Sequence, residues 1–271
     1  SKKVDISKGV DNVLLSAVNF YGPDVTSKDV YDFYSKVKSP DPLKPLSHGL
    51  NSRLVKENGV ILEQVYKSGG LYGEAIDEII KWLELAYGVA ENKPQGDALS
   101  LLISYYKTGD LQTWDDYNVA WTSATEGNID YINSFIEVYN DPLGYRGSYE
   151  NIVQIKDFDM SAKMAVLSEN AQWFEDNSPL IESNKKKNVV GVSYKTVNVA
   201  GEAGDASPST PIGVNLPNAN WIRAAVGSKS VSLGNIINAY NNSGSSDRLK
   251  EFVNDDLEYE LELKHGKQAD K

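Results

Sequence analysis

The chain has no cysteine among its 271 residues. Disulfides, thiolate metal ligands and thiol nucleophiles are excluded, and the usage fits a reducing compartment. Histidine is nearly as scarce: His48 and His265 are the only two, far apart and in unrelated contexts. A catalytic zinc ordinarily takes three protein ligands, and a helical HExxH pair is the common way to present two of them. No such pair is present, so the chain by itself is expected to bind no metal. Positive charge is thin as well. Lys and Arg total 27 against 38 Asp and Glu, a formal net charge of -11. A phosphate-binding surface needs concentrated Lys and Arg, and the one basic run, Lys185-Lys186-Lys187, reads as a solvated loop. No nucleic-acid partner is expected. No apolar run approaches the roughly 18–20 residues that span a bilayer, so no membrane partner is expected either. The N-terminal SKKVDIS has no signal-peptide core. A cytoplasmic location is expected, with a periplasmic or cell-envelope one the alternative if the parent protein carries a signal peptide.

What is present is ordinary globular material. Hydrophobic residues make up 41% and charged residues 24%, enough for a substantial core in one large domain or two modest ones. Thr26 or Ser27 caps a helix through about Lys38, with Val30, Phe33, Tyr34 and Val37 at helical spacing. Residues 59–68 alternate loosely and end at Gly69-Gly70, which predicts a strand. Residues 71–90 carry the clearest helix, with Ile76, Ile79, Ile80, Leu83 and Leu85 as its apolar stripe. Further helices are predicted at 97–107, 113–120, 160–177, 221–225, 232–241 and 245–265, with Trp173 and Phe174 in the core. Strands are predicted at 135–139, 149–155, 189–199 and 212–216. The class is therefore α+β: a small mixed five-stranded sheet or open barrel surrounded by helices. Residues 1–218 are read as the barrel-containing lobe and 219–271 as a helical segment leading away from it.

One stretch, FIEVYNDPLGYRG at 135–147, raises a question of chemistry. Strand alternation puts Phe135, Glu137 and Tyr139 on one face and Ile136 and Val138 on the other. The Asn140-Asp141-Pro142 and Leu143-Gly144 steps then end the strand. On the residues alone the plain reading is a sheet edge whose polar face meets water. A second stretch, with Gly201 and Gly204, hints at a phosphate cradle. It lacks the GK[ST] and the helix start that such a loop requires, so a tight turn is the better reading.

The residues also carry a resemblance. FIEVYNDPLGYRGSYE (135–150), NVAGEAGDASPSTPIGVNLPN (198–218) and SKSVSLGN (228–235) resemble dipeptidyl peptidase III, the zinc exopeptidases with the motif HExxGH. The flavour is that of the bacterial members, most clearly in ENAQWFEDNSP. The resemblance implies a two-lobed parent protein with zinc as its cofactor, of which this chain is a central portion without the zinc motif. It implies oligopeptide substrates with a free N-terminus, and the remaining segments of the parent enzyme as partners. Glu137 matches the glutamate that binds the substrate α-ammonium, and Tyr139 the tyrosine that hydrogen-bonds the substrate carbonyl during attack. Asn215 and Asn218 match asparagines that hold the N-terminal dipeptide. The run Pro211-Ile212-Gly213 belongs to a strand that lends its backbone to the peptide.

The chemistry is coherent in its own terms. Recognising a free amino terminus takes a carboxylate and amide oxygens in a partly dry cleft. Counting two residues takes ladder hydrogen bonds to an extended peptide. Pro211 cannot donate to a ladder, which places its strand at a sheet edge. Two other functions compete with this reading. One is a non-catalytic peptide-binding module, separated from the first by the presence or absence of HExxGH downstream in the gene. The other is a carboxylate hydrolase built on Glu202 and Asp205, disfavoured because a Gly-rich turn offers no burial to raise a pKa.

Overall fold

The computed structural model describes residues 4–189, 192–207 and 210–242; the predicted helix at 245–265, with His265, lies outside them. Two short helices open the chain, and side chains set where they begin. Asp11 caps α1 (Asn12–Leu15), accepting from the N–H groups of Val13 and Leu14. α2 (Ser27–Tyr34) starts with a capping box in which Thr26 and Asp29 satisfy each other's backbone donors. The helix stops before the expected Lys38, and Val37 is left exposed.

β1 (Ser52–Glu57) and β2 (Val60–Val65) pair as an antiparallel hairpin. Asn58 and Gly59 join them with φ of 50° and 80°, the two positive values that a two-residue hairpin turn requires. This corrects the assignment of residues 59–68 to the main sheet. The Asn-Gly turn ties that run to the six residues before it, and the hairpin is a sheet of its own.

Three helices follow: α3 (Gly73–Gly88), α4 (Lys93–Thr108) and α5 (Leu111–Ser123). Ile76, Ile80 and Leu83 form the buried stripe of α3, whereas Leu85 faces solvent. Asn92 caps α4 and Asp110 caps α5 through side-chain oxygens. Between them Gly109, at φ 72°, closes α4 with its N–H on the Tyr105 carbonyl. A Cβ there would lie 2.5 Å from Val65, so both the backbone angle and the neighbouring hairpin demand glycine.

The remaining elements are β3 (Ile129–Glu137), β4 (Ser148–Lys156), α6 (Phe158–Glu169), α7 (Ala171–Asp176), β5 (Val192–Gly204), β6 (Gly213–Leu216), α8 (Asn220–Ala225), β7 (Ser228–Leu233) and α9 (Gly234–Asn242). The helix predicted at 160–177 is broken at Asn170, and Trp173 and Phe174 are 59% and 50% exposed rather than core. Five strands form one sheet in the order β3-β4-β5-β7-β6. β5 and β7 are parallel and the other neighbours antiparallel, so the sheet is mixed and the class α+β, as expected. Its fifth member is β7, not residues 59–68. β7 sits between β5 and β6 although it comes from the segment read as leading out of the lobe.

The largest core joins helices to sheet. Leu102, Tyr106, Trp114 and Tyr117 of α4 and α5 pack with Ile132, Phe135 and Ile152 of β3 and β4. Burying each such side chain stabilises the fold by about 1.5–3 kcal/mol, which holds β3 firmly up to its last turn. The end of that strand is where the polar chemistry begins.

Candidate functional site

β3 and β6 are the outer strands of the sheet, yet their ends meet. Glu137 is the last residue of β3, and Asn218 lies two residues past β6. The Asn218 side-chain amide donates to both Glu137 carboxylate oxygens, at 3.3 and 3.4 Å. The open sheet therefore curls far enough for the end of β3 to meet the segment just past β6.

Local irregularity aims Glu137. Phe135 pairs with Tyr149 and Glu137 with Ser148, so Ile136 is an extra residue, a β-bulge that re-aims the side chains after it. Simple alternation over residues 135–139 is overturned for this reason. Phe135 turns to Tyr66 and Tyr149, with ring centroids 4.8 and 5.8 Å away. Ile136, Glu137, Val138 and Tyr139 together line a different space. Tyr139 lies beyond the strand end and is 78% exposed.

The turn after Tyr139 wraps around one carboxylate. Asp141 accepts from the N–H groups of Leu143, Tyr145 and Arg146 and from the Tyr21 hydroxyl. Arg146 is fully buried, donates to the Gly49 carbonyl at 2.9 Å and to the Ser52 hydroxyl, and lies between the rings of Tyr21 and Tyr34. Asn140 donates to Ser148 and Asp205. Together these contacts fix the path of the chain leaving Glu137.

The space it opens into is a cavity of about 850 Å³, within the range of small-molecule and peptide sites. Its wall includes Trp114, Tyr117 and Trp121 of α5 together with Ile136, Leu216 and Pro217; Glu137, Tyr139 and Asn218 bring polar groups to it. His48, in the loop before β1, also lines it. An apolar chamber with a carboxylate, an amide and a phenol can hold a side chain while binding a polar terminus.

The electrostatics favour a cation. The Glu137 charge, with a smaller effect of burial, holds the Tyr139 phenol above its ordinary pKa, so the phenol stays a hydrogen-bond donor at neutral pH. Glu150 of β4 is buried, and its pKa is pushed up to about 7 by desolvation and by the charges of Glu137, Asp205 and Glu202.

Of the residues singled out by sequence, the fold brings Glu137, Tyr139 and Asn218 to one cavity. Asn215, Pro211, Ile212 and Gly213 do not line it. β6 is nonetheless an edge strand, with β7 on one side and, among the described residues, no strand on the other. Asn215 and Ile212 are exposed along it. Gly213 has a second explanation: a Cβ there would stand 2.9 Å from the Val231 carbonyl, so its first duty is toward β7. Glu202 accepts from the Thr210 hydroxyl and Asp205 from Asn140. Sequence reasoning missed Asp141, Arg146 and Glu150. Asp141 was visible as an Asp-Pro turn signal, whereas nothing local marks Arg146 and Glu150 as buried.

Helices laid on a curled mixed sheet, with a carboxylate at an apolar cavity near an open strand edge, make this an α+β domain. The chain belongs to peptidase family M49, whose model matches residues 48–269. It is similar to the dipeptidyl peptidase 3 of Nematostella vectensis, with 30% identity over 63% of this chain and 23% of that protein. The human dipeptidyl peptidase 3 is 29% identical over 62% of this chain and 22% of its own length. The chain thus spans about a quarter of the length of the curated relatives it matches. In fold it is similar to DPP III from Caldithrix abyssi, with a TM-score of 0.68 and 24% identity over 82% of this chain and 41% of that one.

Proposed function

We propose that this chain is the peptide-recognition portion of a dipeptidyl peptidase III, which releases dipeptides from the free N-terminus of oligopeptides. The observation that carries the reading is the meeting of Glu137 and Asn218, 81 residues apart, at the mouth of an apolar cavity beside an open strand edge. In this role Glu137 and Asn218 take the α-ammonium, and Tyr139 donates to the carbonyl that is attacked. The edge of β6, with Pro211, Ile212, Gly213 and Asn215, carries the extended peptide as an added strand.

The zinc that such a peptidase uses finds no ligand set here: among the described residues no group of three His, Cys, Asp or Glu is arranged to hold a metal ion. The chain's own part is to bind and orient. A protein of this sequence alone is expected to hold no stoichiometric zinc and to hydrolyse no dipeptidyl-arylamide. Elemental analysis finding about one tightly held zinc per chain, together with peptidase activity, would contradict this.

Recognition itself is tested by calorimetry with tetra-alanine amide and its N-acetyl form. The free-amino peptide is expected to bind and the acetylated one to bind at least about ten-fold more weakly, the size of one charge-assisted hydrogen bond. Equal affinities would return Glu137 to a solvated sheet edge.

A further inference from the structure

Glu150 is a buried carboxyl in the middle of the sheet, 5% exposed, and its Oε2 has no protein partner. Cross-strand register explains how it comes to sit among other acids. Glu150 stands opposite Ser134 on β3 and Gly204 on β5, two small neighbours that leave its side chain room. One step along on the same face, Ser148 is opposite Glu137 and Ile152 is opposite Glu202, so both acids are diagonal neighbours of Glu150. Asp205 comes directly after Gly204. Glu202 is itself half-satisfied: one oxygen takes the Thr210 hydroxyl and the other, buried, has no protein partner. The two strands flanking β4 thus direct carboxyl groups toward one buried acid, and every charged group that shifts it is negative.

A buried carboxyl without a cation or a full set of donors favours the neutral acid. We propose that Glu150 is a proton-exchanging positioning residue for the amino-terminus site: an α-ammonium docking on Glu137 displaces the proton that Glu150 carries in the free protein. This inference rests on the reading of Glu137 as the ammonium receptor. The physical reason is reciprocity. The Glu137 charge favours the protonated form of Glu150; an ammonium on Glu137 brings that site to net zero and so removes its repulsion at Glu150. The Glu150 proton then leaves to solvent, and the resulting carboxylate strengthens the field that holds the ammonium. Proton loss and peptide binding are two sides of one coupling free energy. The exposed Tyr139 phenol, which also feels the Glu150 charge, lies within the same field.

This coupling gives the pH dependence a definite sign. The Glu150 pKa in the free protein is raised to about 7, so affinity for a free-amino peptide rises as pH increases through that value. It falls again above roughly 8, where the peptide loses its own ammonium proton. The test is calorimetry of tetra-alanine amide at pH 6.5 in two buffers of different ionisation enthalpy, with the N-acetyl peptide as control. The unaltered protein should release roughly half a proton or more per free-amino peptide bound. Glu150→Gln, which imitates the neutral acid in shape and hydrogen-bonding capacity, should keep the preference for the free amino terminus, release no proton, and lose the rising limb of the pH profile. Binding that discriminates the two peptides but releases no proton in the unaltered protein, or releases as much in Glu150→Gln, overturns this inference while leaving the role of Glu137 intact. Failure to discriminate the two peptides overturns both. The measurement on the unaltered protein decides the matter even if the variant does not fold.

Discussion

Replacing Arg146 with alanine is expected to lower the stability of the fold by about 2–5 kcal/mol, the range for truncating a large buried side chain to alanine. The side chain is 0% exposed and reaches from the turn after β3 into the base of the β1–β2 hairpin. Its Nη1 serves the Gly49 carbonyl and the Ser52 hydroxyl, and Glu63 lies 3.4 Å away. The guanidinium carbon is 5.3 Å from the Tyr21 ring and 5.1 Å from the Tyr34 ring, positions from which aromatic faces stabilise a cation. Alanine leaves a void beside two tyrosines and takes from the Gly49 carbonyl its shorter hydrogen bond, leaving only the Ser52 hydroxyl at 3.3 Å. The partly exposed Glu63 recovers water, so the ion pair contributes the smaller share. Arg146→Lys should recover only part of the loss, since one ammonium nitrogen can serve the acceptors of Nη1 but cannot spread a planar cation against both rings. Urea unfolding midpoints measure all three proteins; a loss below about 1 kcal/mol for Arg146→Ala would show that the contact network is dispensable.

The second large effect concerns binding rather than folding. Glu137→Gln keeps length and shape, and its amide oxygen still accepts from Asn218. Stability should therefore stay within about 0.5 kcal/mol, as for other changes that leave no buried group unpaired. Affinity for tetra-alanine amide should fall about ten- to a hundred-fold, the equivalent of roughly 1.5–3 kcal/mol for a hydrogen bond to a charged group. Affinity for the N-acetyl peptide should not change, because that ligand brings no charge to be matched. A uniform fall for both peptides would mean that the substitution disturbed the cavity wall; no fall for either would remove Glu137 from recognition.

Much of this architecture was legible along the chain, and for local reasons. The Thr26 cap, the Ile76–Ile80–Leu83 stripe and the separation of the helices on either side of Gly109 depend on residues a few positions apart, and backbone preference over that range is written in the side chains themselves. The edge position of β6 was readable from Pro211, which has no N–H to give. FIEVY was recognisable as the place of interest. The Asn58-Gly59 turn was equally local, and should have assigned the hairpin.

What the sequence by itself determined, then, is the α+β class, most helices, the open edge and a carboxylate at a strand end. The tertiary structure alone decided which strands are neighbours and where the acids face. β7 reaches β5 in parallel across more than twenty intervening residues, so no turn signal announces the pairing. The bulge at Ile136 exists only relative to β4, and it is this offset that turns Glu137 into the cavity. Glu150 alternates along β4 like any half-buried strand residue, and its burial comes from β3 and β5 on either side of it. Local preferences choose the elements, but side-chain surroundings are set by contacts between residues far apart in the chain. Asn218 reaches Glu137 only because the whole sheet curls.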